Sequence, residues 1–185
     1  MDYKLREELR EELTAVFDVG NSTIVYATTE PGEALLLGGH TAVMYEGKLL
    51  QYGPTNEVFQ RPMNVQVATA FSDPPMNVLS ATSTDGVLDL GSAITIRIAQ
   101  YNEASGPVSV GLRANAVTLD QGTDGVAVAA RVELSEISGS DTFIHLSTAL
   151  GPLVAQVSGV QNMQLGSQTN VYLQPNRTFV FDKAG

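Results

Sequence analysis

The chain has 185 residues, no cysteine and a formal net charge of −10 at pH 7. Its 43% hydrophobic content is enough for a buried core and excludes wholesale disorder, while the lack of cysteine excludes disulfides and thiolate chemistry. No apolar run approaches the roughly 18 residues of a membrane span, so we expect no direct membrane insertion. Residues 1–75 carry 5 Lys/Arg against 11 Asp/Glu and residues 76–185 carry 5 against 9, which disfavours nucleic-acid binding.

Residues 1–75 have the alternating helix and strand patterns of an α/β layer. Residues 3–17 place apolar side chains at helical spacing after Asp2, a candidate N-cap: Leu5, Leu9, Leu13, Val16 and Phe17. Residues 23–28 form a continuous β-branched and aromatic run, which predicts a strand buried on both faces. Pro31 predicts the start of a short helix that ends before Gly38-Gly39. This order indicates a sheet that is at least partly parallel.

The pattern over residues 43–75 predicts a hairpin followed by two short helices. Strands over residues 43–45 and 48–52 flank the turn Glu46-Gly47. Helices are expected over Thr55–Gln60 and residues 64–71. The sequence Asp73-Pro74-Pro75 then interrupts the pattern, and we place a domain boundary after residue 75.

Residues 76–185 change to short alternating runs separated by Gly, Asp, Asn and Ser, which is typical of an all-β sandwich or small barrel. The predicted strands cover residues 77–82, 87–90, 94–98, 108–112, 126–137, 141–146, 153–157, 170–173 and 178–181.

Several segments resemble the C-terminal part of ABC-transporter ATPases of the carbohydrate-importer type, which includes maltose and glycerol-phosphate importers. The segments in residues 1–79 are LREELR (5–10), VYAT (25–28), VMYEGKLLQYGP (43–54) with EVFQRP (57–62), and DPPMN (73–77). VGLR (110–113) and GSDT (139–142) resemble the TOBE domain of these subunits. The resemblance implies an α/β fold followed by an all-β fold: the C-terminal portion of a P-loop NTPase layer in residues 1–75, then an OB-fold-like TOBE barrel in residues 76–185.

This resemblance implies a parent protein that couples ATP hydrolysis to uptake of a sugar or related solute. ATP and Mg²⁺ would be its cofactors and transmembrane permease subunits its partners, at the cytoplasmic face of the membrane. The phosphate-loop pattern G-x-x-x-x-G-K-[ST] does not occur in this sequence. We therefore expect these 185 residues to correspond to a C-terminal fragment, without a cofactor and without ATPase activity of their own.

Two residues stand at positions that the resemblance associates with catalysis. Asp2 occupies the D-loop position, with a simple helix cap as the alternative. Thr29 occupies the position of the switch histidine and is followed by Glu30 in place of aspartate. Threonine cannot carry a positive charge, so the substitution predicts weak hydrolysis in the parent. The alternative for Thr29 is an ordinary residue at a strand end.

Arg113 and Gly111 are candidate regulatory or interface residues of the barrel. Arg113 could hold an inter-subunit contact or an effector, and its alternative is an internal salt bridge. His40 and His145 have no second histidine or carboxylate at metal-ligand spacing, so we expect no metal site.

Two other functions remain open at this point. The chain could be a TOBE module that senses a sugar or an oxyanion, or a structural dimerisation unit without catalysis. A homodimer is expected in either case, through the barrel or through the α/β part, because residues 23–28 would otherwise leave an unpaired strand edge.

Overall fold

The computed structural model describes residues 23–98 and 105–182, so the helix expected over residues 3–17 and the candidate Asp2 lie outside the described residues. The first part contains α1 (Pro31–Leu37), β1 (His40–Tyr45), β2 (Lys48–Pro54), α2 (Thr55–Gln60) and α3 (Val65–Ala70). The second part contains β3 (Asn77–Thr84), β4 (Val87–Asp89), β5 (Thr95–Arg97), β6 (Gly106–Leu112), β7 (Val117–Thr118), β8 (Val126–Ser138), β9 (Asp141–Thr148), β10 (Gly151–Ser158), β11 (Gln168–Leu173) and β12 (Thr178–Phe181). Single 3₁₀ turns lie at Ala114–Ala116 and Pro175–Arg177.

Residues 31–71 form a small unit, which we call the hairpin unit. Strands β1 and β2 pair antiparallel across a two-residue turn in which Glu46 and Gly47 both have positive φ, of 47° and 76°. Positive φ at both positions matches the right-handed twist of a hairpin and favours glycine at the second position. One face of the hairpin packs on α2 and α3 through a core of Val43, Val58, Val67 and Phe71.

The strand expected over residues 23–28, buried on both faces, is absent: these residues are exposed and pair with no described strand. Their polar side chains contact the next helix instead, since Tyr26 Oη and Thr28 Oγ1 donate to Glu33 Oε2 at 3.0 and 2.5 Å. The expected parallel pairing is also not found, because every strand pair in the described part of the chain is antiparallel. A β-branched run predicts a strand only where a neighbouring strand can satisfy its backbone.

Residues 77–181 fold into two five-stranded antiparallel sheets that share one core. Their strand orders are β12-β6-β3-β4-β5 and β10-β9-β8-β11-β7. Alternate residues of each strand point inward, as in β3, where every second residue from Asn77 to Ser83 is buried. The largest buried side chains come from both sheets, among them Leu88, Ile96, Leu112, Ile144, Leu153 and Leu173. The all-β expectation for this region is confirmed, as two barrel-like sheets packed around one core.

Asn77 joins the two sheets through its side-chain amide. Its Oδ1 accepts from Val154 N at 2.7 Å, and its Nδ2 donates to Val154 O at 2.9 Å and to Leu112 O at 3.2 Å. Val154 lies on the edge strand β10, whereas Leu112 is the register partner of Asn77 on β6. The side-chain amide of Asn77 therefore bonds to both backbone groups of Val154, as a neighbouring strand would, and links β10 to the other sheet.

Replacing Asn77 with alanine should lower the free energy of unfolding by about 1–3 kcal/mol, because two backbone groups of Val154 and one of Leu112 lose their partner. Urea unfolding of the full chain measures this. Ser80→Ala on the same strand is the control and should change stability by less than about 0.5 kcal/mol, since Ser80 is exposed. Equal effects of the two substitutions would show that the amide does not hold the sheets together.

Candidate functional site at the joint between the hairpin unit and the barrel

The hairpin unit contacts the barrel through a small apolar cluster. Ala68 of α3 packs with Met76 and with Phe181 of β12, and Val65 and Phe179 lie at its border. The two phenylalanines stack with ring centroids 6.2 Å apart. Because α3 and β12 are far apart in sequence, this cluster is a tertiary contact between the two parts.

Arg113 crosses the joint next to this cluster. It follows β6 directly and precedes the first 3₁₀ turn, and its Nη2 donates to the carbonyl oxygen of Phe59 at 2.6 Å. Phe59 lies in the last turn of α2, where carbonyl groups lack intrahelical partners and carry partial negative charge. The guanidinium of Arg113 thus caps the C-terminal end of α2.

The guanidinium of Arg113 also lies between two aromatic rings, one from each part. Its Cζ is 3.8 Å from the ring centroid of Phe59 and 4.9 Å from that of Phe179. Both distances lie within the range of a cation–π interaction. The planar guanidinium can stack on both rings and still donate in its own plane, which the ammonium of lysine cannot do.

Burial has an electrostatic cost at this position. Desolvation lowers the pKa of the Arg113 guanidinium, although arginine stays protonated at neutral pH. Its Nε is buried without a hydrogen-bond partner. The ring contacts and the carbonyl of Phe59 therefore offset only part of the lost hydration.

Gly111 allows the close packing beneath Arg113. A Cβ atom there would lie 2.6 Å from Met76 Sδ and 3.0 Å from Phe181 Cε2. Real Cβ atoms do not approach other atoms so closely, and any side chain would displace the cluster at the joint. The two barrel residues singled out from the sequence, Gly111 and Arg113, thus lie at one contact, and their part in regulation or in subunit contacts stays a prediction.

The structure does not bring the other candidates to this joint. Thr29 lies in the exposed segment before α1, and Asp2 is outside the described residues, so their catalytic roles stay predictions. His40 stacks on Tyr52, with ring centroids 5.6 Å apart. His145 Nε2 lies 3.6 Å from Glu136 Oε2 on the barrel. Within residues 23–98 and 105–182, no group of three potential ligands is arranged to hold a metal ion.

A shallow groove opens on the barrel beside Asn77. Its volume is about 510 Å³, and it lies between the start of β3 and strand β10, with Met76, His145, Pro152 and Val154 among its lining residues. The lining is mostly apolar, with Glu133 and His145 as its titratable side chains. None of the helices in the described part of the chain has the length and apolar character needed to cross a bilayer.

Sequence reasoning missed Phe59 and Asn77. Phe59 reads as one more apolar residue of a short helix, and nothing nearby shows that its carbonyl oxygen and ring face an arginine of the barrel. Asn77 does carry a signal, because an amide at an inward-facing position of a strand must find hydrogen-bond partners. The position of Asn77 in the sequence does not show that its partner is Val154 on β10.

Comparison with known proteins shows which proteins this chain is similar to. Residues 110–181 match the family model of the TOBE domain. The sn-glycerol-3-phosphate import ATP-binding protein UgpC of Rhizobium meliloti (strain 1021) is 30% identical over 189 residues, which cover 100% of this chain and 52% of that protein. The chain is thus related to the C-terminal part of ABC-importer ATP-binding subunits. It spans about half the length of the curated relatives it matches.

The names of the relatives give different cargoes. The oligosaccharides import ATP-binding protein MsmX of Bacillus subtilis (strain 168) is 25% identical over 193 residues, covering 98% of this chain and 53% of that protein. A solved structure of the cytoplasmic molybdate-binding protein ModG with molybdate bound covers 57% of this chain and 95% of its own, with 13% identity and a TM-score of 0.45. That likeness is too distant to bear on function. The expected relationship to importer ATP-binding subunits with a TOBE domain is confirmed.

Replacing Arg113 with alanine should lower the free energy of unfolding by about 1.5–3 kcal/mol, because a charge-assisted hydrogen bond and two ring contacts are lost. Arg177→Ala is a matched control: Arg177 also donates to a backbone carbonyl, Asn115 O at 3.0 Å, but is exposed. The control should cost less than about 0.5 kcal/mol. Hydrogen exchange should show the loss first in α2, and uniform loss throughout the barrel would contradict a role at the joint.

Replacing Gly111 with alanine should cost about 1–3 kcal/mol through overpacking. The cost should shrink when Met76 is also changed to alanine, because Met76 Sδ is the atom nearest to the added Cβ. A double-mutant cycle in thermal unfolding measures this coupling. Additive effects of the two substitutions would show that Gly111 is not required for the approach of Met76.

Proposed function

We propose that this chain acts as the C-terminal part of the ATP-binding subunit of an ABC importer for a sugar, a glycerol phosphate or a related solute. Residues 1–75 would be the end of the nucleotide-binding domain and residues 76–185 the TOBE barrel. The observation that carries this proposal is the joint at Arg113. It ties an importer-like segment to a TOBE barrel by specific contacts, which suits a barrel that must follow the movements of a nucleotide-binding domain.

The contacts of Arg113 indicate how such coupling would work. Its hydrogen bond ends on α2 and its ring contacts include Phe179 of β12. A displacement of the hairpin unit would therefore be transmitted through Arg113 to β12 and to the end of β6. A regulator that alters the barrel near β6 and β12 would act back on the hairpin unit through the same contacts, since coupling between two sites is reciprocal.

ATP and Mg²⁺ would be held by the phosphate loop of the complete subunit, whose pattern is missing from this sequence. The 185 residues by themselves would neither bind ATP tightly nor hydrolyse it. Isothermal titration with Mg-ATP tests this point, with no binding at micromolar concentrations as the expected result. Micromolar binding by this chain would contradict the assignment.

The partners proposed for the complete subunit are a second copy and the transmembrane permease subunits. Its place would be the cytoplasmic face of the membrane, held there by the permease. The relatives support this at the level of the importer family, since their names describe import ATP-binding proteins.

A chimera tests the transport function. This chain would replace the matching half of the Rhizobium meliloti glycerol-3-phosphate import subunit, in a strain that lacks the native subunit. We expect ATP-dependent uptake from the chimera and a reduced rate from the same chimera with Arg113→Ala. Arg177→Ala should leave uptake unchanged. A chimera that is expressed at native levels but supports no uptake would contradict the proposal.

Changing Thr29 to histidine in that chimera should raise ATP hydrolysis by at least about tenfold, because a histidine can contact the γ-phosphate and the attacking water where threonine cannot. Steady-state ATPase assays measure the effect. The neighbouring Thr28→His is the control and should not accelerate hydrolysis, since the hydroxyl of Thr28 contacts Glu33. An unchanged rate with Thr29→His would show that residue 29 is not at the switch position.

The barrel groove favours a second candidate, a module that senses a small solute. The groove of about 510 Å³ is large enough for a sugar or an oxyanion with part of its hydration. A solute present at 100 times its dissociation constant would stabilise the barrel by about 2.7 kcal/mol. A thermal-shift screen of sugars, glycerol phosphate and molybdate against the full chain separates the two candidates. A shift that His145→Ala abolishes would favour sensing.

A further inference from the structure

The barrel groove has side chains of both sheets on its walls. One wall is the chain that enters β3, with Pro75, Met76 and Val78, and the other consists of residues of β8, β9 and β10. The volume of about 510 Å³ lies within the range of about 300–1,000 Å³ that small-molecule sites occupy. The polar groups of the groove therefore decide which class of small molecule it can hold.

A β-bulge places a carboxylate in the groove. The register between β8 and β9 shifts between Val132 and Leu134, so Glu133 is the extra residue of the bulge. Bulges change the direction of a side chain and are frequent beside functional sites. Glu133 Oε1 lies 2.7 Å from Arg131 Nη2. Its other oxygen, Oε2, has no hydrogen-bond partner among residues 23–98 and 105–182, so it is available to a ligand.

The remaining polar groups of the groove are acceptors rather than donors. Val154 bonds to Asn77 through its N–H and its C=O, so the backbone of Pro152, two residues earlier, faces the same edge of β10. Pro152 has a carbonyl oxygen there but no N–H. Both N–H groups of the Asn77 amide are already used. A neutral His145 supplies a single N–H, so a ligand must bring its own donors.

We propose that the barrel groove binds a neutral polyol, such as a sugar, and rejects oxyanions. This inference rests on the second candidate function above, the sensing of a small solute, and names the class of that solute. The hydroxyl groups of a polyol donate hydrogen bonds to a carboxylate and to a carbonyl oxygen, while its C–H groups pack on apolar walls. A fully ionised molybdate or phosphate has only acceptor oxygens and would meet the carboxylate of Glu133.

The charges around the groove also favour a neutral ligand. The guanidinium of Arg131 is already paired with Glu133 and is not free to bind an oxyanion. Glu136 Oε2 lies 3.6 Å from His145 Nε2 and adds a second carboxylate beside the groove. A cationic ligand would find no phenylalanine, tyrosine or tryptophan ring among the described lining residues to replace its lost hydration.

An NMR titration of the full chain with sorbitol, glucose and maltose tests the proposal. We expect the amide signals of His145 and Val154 to shift in a saturable way with at least one polyol, at a dissociation constant of about 1–10 mM. Glu133→Gln should weaken this binding about tenfold, because it removes the charged acceptor. Asp85→Asn is the matched control: it removes one carboxylate at the far end of β3 and should leave the affinity unchanged.

A second variant separates binding from a general effect of sugar on the solvent. Val78 is 45% exposed on the wall of the groove, so Val78→Trp should fill the groove and abolish the shifts. Equal shifts in this variant and in the wild type would mean that the sugars act as excluded cosolvents only, which overturns the proposal. If Val78→Trp lowers the melting temperature by more than about 10 °C, Glu133→Gln decides alone, and an unchanged affinity overturns the proposal.

The same titration with molybdate, glycerol 3-phosphate and putrescine tests the ligand class. Tighter binding of either anion than of every polyol, binding of putrescine alone, or no binding of any polyol would each overturn the proposal. These results are independent of transport. Polyol binding with no uptake by the chimera would contradict only the importer assignment, and uptake with no polyol binding would contradict only this inference. Anion binding in the groove would keep the sensing function and remove its polyol ligand.

Discussion

A single arginine between two phenylalanine rings holds the two parts of this chain together. Arg113 donates to the backbone of Phe59 while its guanidinium contacts the ring of that residue and the ring of Phe179. The small cluster around Ala68, Met76 and Phe181 adds apolar contacts between the hairpin unit and the barrel. The packing nearby also favours glycine at position 111, because a Cβ atom there would collide with Met76 and contact Phe181 closely.

A second polar contact, next to the first in the chain, links the two sheets of the barrel. Asn77 donates to the carbonyl of Leu112, the residue before Arg113, while it binds both backbone groups of Val154 on the other sheet. The start of β3 and the end of β6 therefore carry both the link between the two sheets and the link between the barrel and the hairpin unit. A change in the packing at this end would therefore affect both sheets and the hairpin unit.

The sequence predicts the barrel strands well and the first part less well, for a physical reason. Strand β9 alternates strictly, and the turn between β8 and β9 contains Gly139 with positive φ, so local sequence decides the position of this hairpin. The two-residue β7 was missed because it is too short to show a period. Residues 23–28 were wrongly predicted to be a strand buried on both faces, because a continuous β-branched run does not show whether a neighbouring strand is present to pair with it and cover it. Arg113 and Gly111 could be singled out by resemblance, but their contacts with Phe59 and Met76 join residues distant in sequence, which no local pattern reports.

The outer edge of strand β10 is poorly suited to pairing with a strand of another molecule. The backbone of Val154 points outward, to the amide of Asn77, and Pro152 two residues earlier points the same way and has no N–H to offer. A strand of another molecule could not pair with Val154, whose N–H and C=O already bond to Asn77, and would receive no hydrogen bond from Pro152. Continuous pairing of another strand along this edge of β10 is therefore interrupted at these two positions.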